Sequence, residues 1–268
     1  MKTQHKFNWS IGNAKLIKTA RKLALALGVA IKLISFNLPA RKACPGKGAC
    51  SGPCYAVQGR YGLPEAQRVR AENFTLCKAC LAKSEGSLVK ALDTDICAIK
   101  ETTKSKLVFR LHDSGDFFSP AYIRAWIRLS YMHPDSLFYA YTKSTDFVPL
   151  FALNNEIPNL VVCCSLGGKH DRHTLALADH NPGIILSRIF PVVPTGAKGQ
   201  VLQEDKDKAH DTMTSAGYVD GNSEEGDLTL ILARERGINR IGLVYHGSKK
   251  MTQPQAKALA QGGNHEIL

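Results

Sequence analysis

Three cysteines, Cys44, Cys50 and Cys54, fall within the stretch CPGKGACSGPCY, separated almost entirely by Gly, Pro and Ala. Thiols spaced this way can converge on one metal centre, and the small residues between them have no bulk with which to build a core. Gly46, Gly48 and Gly52 permit close backbone approach, while Pro45 and Pro53 limit how far the segment collapses. The spacing is C-x5-C-x3-C. Three thiolates from one loop suit an iron-sulfur cluster with a fourth iron capped by another group or left open. Zinc is the alternative, and it favours four ligands and paired C-x2-C units. One C-x2-C exists, Cys77 and Cys80. Either of them, with Cys44, Cys50 and Cys54, would close a four-thiolate site, and the competing reading for the pair is a buried helix face.

A second group follows in FRLHDSGDFFS. His112, Asp113, Ser114 and Asp116 surround a Gly turn and can bind a cation, an amine or a ribose, or move protons. Asp116 and His112, with Lys143 of FYAYTKS, are the catalytic candidates. Arg110, Ser114, Asp113, Ser165 and Arg188 are the candidates for holding a cofactor, the two arginines and Lys143 as partners for a carboxylate or phosphate. Asp116 and Ser119 also have a plainer reading as helix caps. His170 and His173 read as solvent-facing, and Gly167-Gly168 is a weak phosphate-loop signal.

Apolar periodicity supplies the elements that must position these residues. Residues 13 to 27 read as an amphipathic helix ended by Gly28, with Lys15, Lys18, Arg21 and Lys22 on one face. A buried strand, 29 to 38, leads into the cysteine loop. Helices are expected from Pro64 to about Lys83 and over 86 to 100, where Cys97 reads as a small buried apolar residue. Then strands (106–111, 136–141, 160–164, 183–189) alternate with helices (120–132, 147–154, 172–178), and a helix at 227–235 precedes a last strand at 238–245. This pattern implies parallel strands in a complete or partial α/β barrel, or an open sheet. The reactive residues then fall at the C-terminal ends of successive strands, where such folds carry their sites. The chain reads as one α/β domain over 1–268, with a polar insertion or mobile loop at 195–226 and a polar tail at 250–268.

Thirty-five Lys and Arg against 23 Asp and Glu leave a net charge of +12. That balance points to an anionic partner such as nucleic acid or a nucleotide, with simple solubility as the competing reading. Eight cysteines without a secretory signal indicate a reducing, cytoplasmic setting in which clustered thiols bind metal. The apolar run LALALGVAIKLISF is interrupted by Lys32 and falls short of the ~20 residues of a membrane span.

The combination SFNLPA, CPGKGACSGPCYA, FRLHDSGDFFS and FYAYTKS resembles the phage and plasmid family called gene product 88-like, over roughly residues 10 to 190. More distantly, the cysteine loop after a first strand is similar to that of the radical S-adenosylmethionine enzymes. That likeness implies a four-iron cluster on Cys44, Cys50 and Cys54. It also implies Asp116 or Ser114 near the cofactor, and Arg110 or Lys143 on its carboxylate. Those enzymes space their cysteines C-x3-C-x2-C, and HDSGD stands where they carry Gly-Gly-Glu-Pro. The expected function is therefore an iron-sulfur enzyme of mobile-element origin, of radical S-adenosylmethionine type, acting on nucleic acid or a nucleotide. The alternatives are a nucleic-acid-binding protein with a structural zinc or iron-sulfur site, and a nuclease holding a divalent metal on Asp113, Asp116 and His112.

Overall fold

A computed structural model of the chain describes residues 6–11, 13–192, 195, 202–221 and 227–245. A two-residue strand, β1 (Trp9–Ser10), precedes helix α1 (Ala14–Leu27). The Asn13 side chain caps α1 by accepting from the Leu16 N–H, and Gly28 ends it in the left-handed region at φ 66°, a conformation that glycine adopts without steric cost. That turn splits the apolar run: its first half closes α1 and its second half is strand β2 (Ile31–Phe36). Among the described residues no helix is long and apolar enough to cross a membrane.

After the cysteine loop come α2 (Pro64–Lys83), which starts on a proline, and α3 (Glu85–Glu101), capped by Ser84. The alternation follows as β3 (Lys106–Leu111), α4 (Pro120–Met132), β4 (Leu137–Thr142), α5 (Leu150–Leu153), β5 (Leu160–Ser165), α6 (Asp171–His180) and β6 (Ile185–Pro191). The polar stretch from 195 to 226 contains α7 (Gln203–Ser215) and β7 (Val219–Asp220), so it is not a plain surface loop. Ala209 and Met213 of α7 pack with Phe190, Val192, Tyr218 and Val244, apolar positions too sparse to show a periodicity. Helix α8 (Leu228–Ile231) is shorter than the expected 227–235, and β8 (Arg240–Tyr245) closes the described chain. The expected tail at 250–268 lies outside the described residues.

The strands form one eight-stranded sheet in the order β1-β2-β3-β4-β5-β6-β8-β7, parallel throughout except where β1 pairs with β2. It is not closed into a barrel: the edges are the two-residue strands β1 and β7, which do not meet. One reason is visible on the face that a barrel would turn inward. There α1 and α8 pack Leu16, Leu23, Leu228, Leu230 and Ile231 onto Leu33, Val108, Tyr139, Val161 and Ile185, whereas a closed eight-stranded barrel has room only for side chains. The other face carries α2 to α5 over an aromatic core that includes Phe36, Phe109, Trp126 and Phe138. Phe109 and Phe138 stack at 5.0 Å, and Trp126 meets Phe36 edge-on at 5.3 Å.

Candidate metal centre

The cysteine loop leaves the end of β2 and lies across the C-terminal ends of β4 and β5. The Cys50 N–H donates to the Gly167 carbonyl at 3.1 Å, and the Lys169 N–H donates to Gly46 at 3.1 Å. Backbone contact this close requires missing side chains. A Cβ on Gly46 would stand 2.0 Å from the Lys143 carbonyl oxygen, and one on Gly48 would stand 2.7 Å from the Gly168 carbonyl carbon. The glycines therefore act mainly as a seam against the sheet edge.

Cys44, Cys50 and Cys54 are half-buried free thiols on the docked loop. Burial pushes the Cys44 thiol up to about 12, the Asp116 carboxylate adds to the rise, and the Arg41 backbone N–H directed at the sulfur offsets part of it. Burial likewise raises Cys54, against the Ala56 N–H, with Arg41 and Lys143 also favouring the thiolate. Thiols raised this way are poor nucleophiles near neutrality, because the reactive species is the thiolate. They become thiolates when a metal displaces the proton. Among the described residues the one triad of His, Cys, Asp and Glu ligand atoms lying within 4.8 Å of one another is elsewhere. The three loop sulfurs thus do not all lie within 4.8 Å of one another, so at least one pair stands wider apart than the roughly 3.8 Å edges of a tetrahedral zinc-thiolate site. Thiolate donors, backbone N–H groups aimed at two sulfurs, and a spacing wider than one ion fit a cluster better than a single zinc. Cys77 and Cys80 do not join them. Both lie in the helix-side core, and the thiol charge neighbouring Cys77 is that of Cys80. Cys97, expected to be buried, is exposed.

Asp116 is buried at the junction of the β3 and β4 loops, where it accepts from Thr142 Oγ1 at 2.7 Å, the Lys143 N–H at 2.9 Å and the Phe117 N–H at 2.7 Å. Burial raises its carboxyl and these three donors hold it back. Lys143 Nζ donates to Ser165 Oγ at 2.6 Å, beside the loop. Asp171 caps the Gly167 and Gly168 N–H groups at 2.7 and 2.9 Å.

The other candidates are placed differently. His112 has φ 65°, packs edge-on to Phe117 at 4.8 Å and shares a 2.9 Å hydrogen bond with Tyr122. Burial, with the Arg110 charge, pushes its imidazole down to about 3, so it is a neutral core ring rather than a proton carrier near pH 7. Asp113 accepts from Tyr61 at 2.5 Å and Asn13 at 3.1 Å, and its carbonyl accepts from Tyr55 at 2.7 Å. Ser114 Oγ donates to the Leu38 carbonyl at 2.9 Å, tying the two loops together. Asp113, Asp116 and His112 therefore do not converge on one ion. Arg188 lies over the Phe190 ring at 5.6 Å with its Nε unpartnered. His170 is within 3.3 Å of Asp146.

Arg110 is committed to a partner that its local motif does not reveal. Asp227, at the start of α8, accepts from Arg110 Nη1 at 3.3 Å and from Tyr139 Oη at 2.9 Å, with Lys15 Nζ at 3.1 Å. The Arg110 guanidinium also lies against the rings of Tyr139 and Tyr141, at 5.1 and 4.4 Å. Beside it, Tyr141 Oη, Ser187 Oγ and Arg110 Nε are buried without a hydrogen bond of ordinary geometry, Tyr141 lying next to Arg110 and Ser187 next to Cys163. Tyr141 lies within FYAYTKS and Ser187 directly precedes Arg188, both at strand ends, whereas Asp227 lies in no motif. Alternation along β4 and β6 is the pattern that turns Tyr141 and Ser187 to the inner face.

The model of the gene product 88 family matches residues 5–246. The chain belongs to the gene product 88 family. Two relatives are the Gene 88 proteins of Mycobacterium phages L5 and D29, each 30% identical over 112 residues, which is 41% of this chain and 47% of the relative. The match spans about half the length of these curated relatives. No solved structure matches. The family span covers the cysteine loop, HDSGD, TKS and Asp227 together, so the candidate site and its surroundings lie inside the matched region.

Proposed function

We propose that Cys44, Cys50 and Cys54 hold an iron-sulfur cluster at the C-terminal edge of the sheet, in an enzyme of radical S-adenosylmethionine type acting on nucleic acid or a nucleotide. The observation that carries this reading is three thiols on a loop seamed to the sheet edge, two of which, Cys44 and Cys54, are raised by burial and receive backbone N–H groups, with Lys143 alongside. A reduced four-iron cluster with an open iron would supply the electron that cleaves a bound S-adenosylmethionine. Of the two cations considered for that molecule's carboxylate, Lys143 is the better suited, because Arg110 already neutralises Asp227. Asp116 fixes the Lys143 backbone and so aims this side chain. The Tyr141 and Ser187 hydroxyls on the inner face, which lie beside Arg110 and Cys163, offer hydrogen bonds to a polar substrate.

Anaerobic purification followed by iron, sulfide and zinc analysis tests the centre. The expected protein is coloured, with iron and acid-labile sulfide in near-equal amounts, and Cys54→Ala loses both the colour and the reductive cleavage of S-adenosylmethionine. A colourless protein with stoichiometric zinc would sink the cluster. A fully loaded, reduced protein that leaves S-adenosylmethionine intact would sink the enzyme class alone. The sign of the pH dependence follows from the raised thiols: metal must displace their protons, so loading weakens as pH falls from about 8 to about 6. A flat loading curve over that range would show that Cys44 and Cys54 are not the ligands.

The charge of +12 supports an anionic substrate. Single-stranded and duplex oligonucleotides are expected to bind with a log–log salt slope of several units. Binding that ignores salt, or none, would return the charge to solubility.

A further inference from the structure

Toward the N-terminal ends of the strands, α3 and the C-terminal end of α4 gather Asp93, Cys97 and His133, whose ligand atoms all lie within 4.8 Å of one another. Asp93 and Cys97 are one helical turn apart, so one face of α3 presents both. His133 caps α4, its backbone N–H donating to the Leu129 and Ser130 carbonyls. Asn159 Nδ2 holds the same turn through the Ser130, His133 and Ser136 carbonyls at 2.9, 3.0 and 2.9 Å. The backing is therefore fixed before any ligand arrives.

His133 Nε2 is 2.9 Å from Asp93 Oδ1, and Cys97 Sγ is 3.7 Å from that same oxygen. A tetrahedral zinc bound by imidazole, carboxylate and thiolate has N···O and S···O edges of roughly 3.4 and 3.6 Å. One edge already has that length, and the other must open by about half an ångström. The site is graded from inside to outside: the His133 side chain is 5% exposed, that of Asp93 is 30% exposed, and Cys97 is exposed. A fourth position can therefore face water, as catalytic and exchangeable zinc sites require. Mixed nitrogen, sulfur and oxygen donors select a borderline divalent ion over magnesium or calcium.

We infer that Asp93, Cys97 and His133 form a second metal site, open to solvent, for a zinc-class divalent cation. It shares no ligand with the cysteine loop and does not depend on the function proposed there.

The test uses the full chain stripped of metal, zinc ion as the probe, and iodoacetamide alkylation of Cys97 followed on its own peptide by mass spectrometry. One molar equivalent of zinc is expected to slow Cys97 alkylation by about tenfold or more, with reversal by a chelator. Asp93→Asn and His133→Gln should each abolish that protection, and the half-buried Asp93 variant keeps the test valid if loss of the buried histidine impairs folding. The Cys44→Ala/Cys50→Ala/Cys54→Ala chain separates the two sites. Protection retained there supports the inference, and protection lost there assigns the zinc to the loop and overturns it. Alkylation that zinc leaves unchanged, or slows equally in both ligand variants, also overturns it.

Discussion

Asp227→Ala is expected to lower the unfolding free energy by about 3–5 kcal/mol, because removing one partner of a buried ion pair strands the other in a medium that solvates it poorly. The Arg110 side chain is 7% exposed and that of Asp227 is 3% exposed. Arg110 cannot reach water by a rotamer change, since the Tyr139 and Tyr141 rings flank its guanidinium. Lys15, 42% exposed, is already solvated and contributes little of this cost. Urea unfolding of the two proteins measures the difference. The Arg110→Leu/Asp227→Leu pair should recover most of the loss, because apolar replacement of both partners removes the stranded charge. A loss below about 1 kcal/mol would place the pair with ordinary surface bridges.

The same carboxylate has a pH signature. Burial alone would raise Asp227, but Arg110, Lys15 and the Tyr139 hydroxyl outweigh it and hold the carboxyl below its ordinary value. A depressed folded value means that this contribution is present above the unfolded value near 3.9 and is lost as pH falls through the folded one. Asp227→Asn should therefore flatten the stability profile below about pH 4. An unchanged acid limb would show that Asp227 titrates alike in both states.

Gly46→Ala should detach the cysteine loop. A single methyl there would lie 2.0 Å from the Lys143 carbonyl oxygen and 2.4 Å from its carbon, and two backbones cannot both hold their places across that gap. Overpacking costs about 1–3 kcal/mol, and the loop can relieve it by lifting away from β4. The expected result is a fall in iron content of about tenfold or more, with the helical circular dichroism of the native chain preserved. Gly168→Ala acts on the same seam, since its Cβ would meet the Gly46 carbonyl oxygen at 2.7 Å. The double variant should accordingly lose little more than either single one. Gly28→Ala is the control: its φ is 66° with nothing within 4 Å, so it costs roughly 1–2 kcal/mol of stability and leaves iron unchanged. Full iron loading in Gly46→Ala would mean that the loop does not need its seat on the sheet to bind the proposed cluster.

Much of the fold is legible in the chain. Asn13 and Gly28 bound α1, Ser119-Pro120 opens α4, and the Val- and Ile-rich runs are strands, because capping and apolar periodicity act over a few residues and leave local marks. Helix α7 leaves almost none. Its apolar contacts are Ala209 and Met213, and they become a buried edge only when Phe190, Tyr218 and Val244 arrive from other elements. Closure of the sheet was equally hidden, since strand-helix alternation is shared by barrels and open sheets, and only the packing of α1 and α8 on the inner face separates them.

The site divides in the same way. Residue type and spacing by themselves determined that Cys44, Cys50 and Cys54 share a glycine-rich loop after the first parallel strand, with HDSGD and TKS at the ends of the next two. Tertiary structure alone decided that His112 turns into the aromatic core and that Cys77 and Cys80 are buried in the helix-side core. It also decided that Arg110 is taken by a carboxylate 117 residues away and that Cys97 stands beside Asp93 and His133. The physical reason is range. Thiol spacing and turn chemistry are fixed by adjacent covalent bonds, whereas burial, charge pairing and ligand convergence depend on elements brought together only when the sheet assembles.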